Sequence, residues 1–105
     1  MTQKEAIALA AAVRPHALSE DILEHFLGEV EGRIAVEVKQ HDVSELDATV
    51  LSVPAPFDRL YWSYLVAMID LAAGDTDNYR ISRALFEEAY NAFARWYQRR
   101  GKTDS

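Results

Sequence analysis

At 105 residues with half of them hydrophobic, the chain supports one domain around a single modest core, because dividing it in two would leave neither half enough apolar surface to bury. Its 17 acidic and 11 basic residues give a net charge of -6, which excludes nucleic-acid binding by general electropositivity and leaves only local contact. The absence of cysteine excludes disulfides, thiolate metal sites and a cysteine nucleophile, and makes a reducing compartment the simpler expectation.

The charge is uneven. Residues 1–58 hold 11 acids and 4 bases, whereas residues 59–105 hold 6 acids and 7 bases. An acidic half and a near-neutral half with a basic end suit head-to-tail association, and chance gives the same asymmetry in short chains. Met1 to Ala12 is too short and too weakly apolar for a signal peptide or a membrane span, so a cytosolic chain without membrane contact is expected.

In chain order, Thr2 and Glu5 have capping-box spacing, and Ile7, Leu9, Ala10 and Val13 give a short first helix that stops before Pro15. Ser19 caps a second helix with Glu20 and Asp21 in its first turn. Ile22, Phe26, Val30, Ile34 and Val38, with Leu23 and Leu27 alongside, predict that it runs from Glu20 to Lys39. Gly28 and Gly32 inside it cost about 1 kcal/mol each, which implies either close approach of another backbone or a break near Gly32.

Periodicity fails over residues 41–55, a long loop with one short extended piece at Thr49 to Val53. A loop of this length is either a contact arm, offering Val50, Leu51 and Val53 to a partner, or a plain connector. After Pro54 and Pro56, Asp58 is expected to cap a third helix from Arg59 to Ala73, closed by Gly74. Leu60, Tyr61, Trp62, Tyr64, Leu65, Val66, Met68, Ile69 and Leu71 surround that helix, which must be central in the fold or covered by another subunit.

Asp75 to Asn78 predicts a tight turn into a fourth helix reaching about Arg100. Leu85, Phe86, Ala89, Tyr90, Phe93, Trp96 and Tyr97 lie on its inner side, and Arg83 and Glu87 face away. The short connection makes the last two helices an antiparallel hairpin, with residues 101–105 as a frayed tail. The fold class is therefore all-α, a single domain of about four helices.

Asp21, His25 and Glu29 share a helical face at spacing four, which suits a metal but is also what any solvated acidic face shows, and no second pair of ligands accompanies them. His16 and His41 sit in predicted turns. The serines have no nucleophile elbow, and no glycine-rich loop could hold a phosphate, so neither catalytic residues, a metal nor a cofactor are expected. Asp70 interrupts the most apolar helix and requires a buried partner such as Arg80, Arg83 or a tyrosine hydroxyl. Among the aromatic residues Trp62 and Tyr97, with Val66, are candidates for a subunit interface. Arg95, Arg99, Arg100 and Lys102 form the one basic patch, either complementing a helix C-terminus or touching DNA or an acidic partner.

Several segments together resemble a family of small prophage-encoded head-tail connector or head-completion proteins of tailed bacteriophages. These are Pro54 to Tyr61, Tyr64 to Asp75, Asn78-Tyr79, and Ala84 to Tyr90 with Phe93, Trp96-Tyr97 and Arg99. Leu23-Glu24, Glu29, Gly32-Arg33-Ile34 and Glu37-Val38 follow the same pattern. Arg80 and Ile81 stand where the family tends to have consecutive asparagines, and Glu87 replaces another. The resemblance implies a non-enzymatic ring of identical subunits docked on the portal protein and on tail-side neck proteins, with non-specific contact to DNA in the channel. Such a protein would reside in the host cytoplasm during assembly and then in the virion neck. The alternative is a small cytosolic helical adaptor or regulator that binds one host protein.

Overall fold

The computed structural model describes residues 1–39 and 51–103, the last four as backbone only. Four α-helices account for most of them: α1 (Gln3–Val13), α2 (Glu20–Ile34), α3 (Arg59–Ala72) and α4 (Thr76–Thr103). A π-helical turn, Ala35–Lys39, follows α2 directly. Among the described residues there is no strand, and no helix is long and apolar enough to cross a membrane. The fold is all-α, with α3 and α4 as the expected C-terminal hairpin.

Local signals set most helix ends. Thr2 Oγ1 accepts from the Glu5 amide at 3.2 Å while Glu5 accepts from the Thr2 amide at 3.2 Å, a reciprocal cap that satisfies two otherwise unpaired donors. Ser19 Oγ caps α2 through the Ile22 amide at 3.3 Å. Gly74 turns the chain at φ 73°, a conformation that costs a glycine little. Asp75 then accepts from both the amide and the side-chain nitrogen of Asn78, at 3.2 and 2.7 Å, and starts α4.

Asp58 does not cap α3. Its backbone is already helical at φ -67° and ψ -9°, its side chain makes no cap bond, and its carboxylate lies 3.9 Å from the Met1 amino nitrogen. Gly32 does not break α2, which runs on to Ile34. At the other end α4 continues through residues 101–103, which the sequence assigned to a frayed tail.

Most of the predicted apolar side of α2 and the turn after it is buried, namely Leu23, Leu27, Val30, Ile34 and Val38, with Phe26 half-buried against the core. A row at spacing four advances about 40° per step around a helix, which carries Ile22, 43% exposed, off that face and leaves Glu31 within it. In α4, Phe86, Ala89, Tyr90 and Phe93 face the core while Leu85, predicted to join them, is 56% exposed. Gly28 has open space where a Cβ would stand, so no backbone approaches it closely.

Apart from Leu71, which is 54% exposed, the nearly all-round apolarity of α3 is met within one chain. Contacts with α1, α2 and α4 bury Leu60, Tyr61, Leu65, Val66 and Ile69, and each such side chain contributes about 1.5–3 kcal/mol. Burial by other subunits is not needed to explain this helix. Helix α4 is twice as long as its hairpin partner, at 28 residues against 14. At 1.5 Å per residue it spans about 42 Å, close to the 46 Å longest dimension of the molecule.

Because Gly28 sits inside α2 with room for a methyl group, Gly28→Ala is expected to stabilise the protein by about 0.5–1 kcal/mol in urea unfolding. Loss of stability would show that the site is closed. Phe93→Ala, which opens a hole at a fully buried ring, is expected to cost about 3–5 kcal/mol in the same assay.

Candidate functional site

Three clusters of polar side chains lie in or at the edge of the core, and none was assembled from the sequence. The most buried surrounds Glu31, which α2 presents toward α3 within its buried face at 4% exposure. Ser52 donates to both carboxylate oxygens, from its amide to Oε2 at 3.0 Å and from Oγ to Oε1 at 3.1 Å. The fully buried Tyr61 hydroxyl donates to Oε1 and accepts from the Val53 amide at 2.9 Å. Burial, and then the adjacent Glu31 charge, push the Tyr61 hydroxyl well above the usual tyrosine range. It therefore keeps its proton and remains a donor to Glu31.

The second cluster centres on Asp70, 1% exposed in α3. Arg14 Nε approaches Oδ1 at 2.8 Å off the N–H axis, Arg14 Nη2 donates to Oδ2 at 3.5 Å, and Ser82 Oγ donates to Oδ2 at 2.7 Å. The sequence correctly required a partner for this carboxylate but pointed to Arg80, Arg83 or a tyrosine. Arg80 is exposed and Arg83 is engaged elsewhere. Ser82 takes the place across the hairpin because its position on α4 faces α3, and Arg14 reaches in from the end of α1. One carboxylate thus joins α1, α3 and α4.

The third cluster corrects the expectation that Arg83 and Glu87 face solvent. Arg33 Nε contacts Glu37 at 2.9 Å, Arg33 Nη1 contacts Glu87 at 3.2 Å, and its guanidinium carbon lies 4.1 Å from the centre of the Tyr90 ring. Arg83 Nε meets the same Glu87 oxygen at 3.2 Å and donates from Nη1 to the Tyr79 hydroxyl at 3.0 Å. Tyr90 donates to Glu37 at 3.0 Å. Hydrogen bonds from Arg33 and then Tyr90 hold the Glu37 carboxyl below its usual range. Burial opposes the charge on Arg33, but the hydrogen bonds it donates to Glu37 and Glu87 more than offset it and raise its pKa. Burial is the main cause that pushes Tyr64 and Tyr90 up to about 12.

On the face shared by Asp21, His25 and Glu29 the contacts are of an ordinary solvated kind. His25 Nε2 lies 2.9 Å from Glu29, both largely exposed, and Glu29 also accepts from Tyr64 at 3.2 Å. Among the described residues no three potential ligands converge. His16 Nδ1 accepts from the Leu18 amide at 3.0 Å.

Of the interface candidates, Leu51, Val53 and Val66 are buried in this chain's own core at 4%, 0% and 4% exposure, which leaves them no surface to offer. Val50 and most of the predicted arm fall in residues 40–50, outside the described residues. Trp62 and Tyr97 are half-buried. Trp62 lines a cavity of about 140 Å³ with Arg59, Ser63, Leu85 and Glu88. Tyr97 packs against Phe93 with ring centres 5.9 Å apart and planes tilted by 49°, within a group that includes Phe57 and Trp96. Arg95 and Arg99 are exposed on the last turns of α4, and the side chains of Arg100 and Lys102 lie outside the described residues.

Two further cavities flank the linker between α1 and α2. One of about 600 Å³ is a groove lined by Ile7, Ala8, Ala11, Leu18 and Leu23, with Lys4 and Glu20 at its rim. The other, of about 250 Å³, lies between residues 15–18 and the end of α3. Glu31, Tyr61 and Asp70 line none of the three. The buried polar groups therefore position backbone and helices, while the open surfaces are mainly apolar. Comparisons with protein-family models, with curated proteins and with solved structures found no match.

Tyr61→Phe removes the donor to a buried carboxylate and the acceptor of the Val53 amide, so it is expected to cost about 1–3 kcal/mol in urea unfolding. Alkaline pH acts on two further tyrosines. Tyr64 and Tyr90 are raised from 10 to about 12, so the folded state holds these protons more tightly than the unfolded one. Their contribution is complete below about pH 10 and is lost as pH rises through about 12. Unfolding free energy should fall over that window; a flat profile would contradict these environments.

Proposed function

We propose that the chain is a non-enzymatic structural subunit that works by association, as a head-tail connector of a tailed phage or prophage neck. One observation carries the associative part of this reading. The buried charged residues Glu31 and Asp70 are partnered within the chain, whereas Ile81 and Leu85, large aliphatic residues one helical turn apart on α4, remain 61% and 56% exposed, Leu85 at the Trp62 cavity. Unpartnered apolar surface on a small helical domain is the chemistry of docking rather than of turnover. The connector role in particular rests on the sequence resemblance.

In this role copies of the chain form a ring on the portal, and tail-side neck proteins bind its other face. The basic end of α4, with Arg95 and Arg99 exposed and Arg100 and Lys102 following in sequence, is the part suited to non-specific, salt-dependent contact with DNA. The protein would assemble in the host cytoplasm and end in the virion neck. No cofactor enters this reading.

Light scattering of the purified protein across a concentration series, alone and with portal protein, tests the proposal. The expected result is a mass that rises with concentration or a stable complex with the portal. A strict monomer that ignores portal and tail-completion proteins but captures one host protein would favour the adaptor reading instead.

A further inference from the structure

We draw no further inference here: the strongest candidate, the surface cavity of about 140 Å³ between α3 and α4 that Trp62 lines with Arg59, Ser63, Leu85 and Glu88, carries none, because its one cation and one anion balance each other and nothing in the structure shows what fills it.

Discussion

Holding an ionised carboxylate in a protein core without partners costs several kcal/mol, and Glu31 is 4% exposed in a domain of 105 residues. Its partners come from Ser52 and Tyr61, on the far side of residues 40–50 in sequence. The chain that enters α3 is therefore fixed to α2 before the hairpin begins. Tyr61 extends the effect, since its hydroxyl also accepts the Val53 amide. With residues 51–53 held, Leu51 and Val53 become core side chains, and the Leu51 amide reaches the Met1 carbonyl at 3.1 Å.

Asp70 plays the corresponding part at the other end of α3, joining Arg14 of α1 to Ser82 of α4. Between these two carboxylates α3 is covered on most sides, and its core contribution comes from ordinary packing of Leu60, Leu65, Val66 and Ile69. A helix pinned at both ends in this way leaves little apolar surface for a partner. Leu71 near its end stays 54% exposed, and the other large exposed apolar side chains among the described residues lie on other elements: Leu9 and Val13 on α1, Ile22 on α2, Val36 on the π-helical turn, and Ile81 and Leu85 on α4.

Features encoded within a few residues were legible in the sequence. Thr2 with Glu5, Ser19, and Gly74 each act through a bond or dihedral close by in the chain, and all three work as read. The need of Asp70 for a partner was also legible, because its helix is apolar all round. Its actual partners were not, since they depend on how α1 and α4 meet α3 in space. Asp58 failed as a cap because the backbone there is already helical, which residue type alone does not reveal. Glu31 was missed because a single glutamate among Glu29, Arg33 and Glu37 reads as a solvated face. The available signal was its spacing, four residues after Leu27 and next to Val30, inside the buried stripe once the true helical period is used. Leu51 and Val53 were given to a partner because nothing nearby in sequence indicates that Glu31 and Tyr61 hold them inside.

Native-state hydrogen exchange at the Ser52 and Val53 amides is the most direct test of this architecture, because these two N–H groups donate the backbone bonds through which residues 51–53 are tied to Glu31 and Tyr61. Both are expected to exchange as slowly as the central amides of α3, opening only when the whole domain unfolds, and to lose that protection in Glu31→Ala. Rapid exchange at Ser52 and Val53 while α3 stays protected would contradict it, since the approach to the hairpin would then move independently of the core.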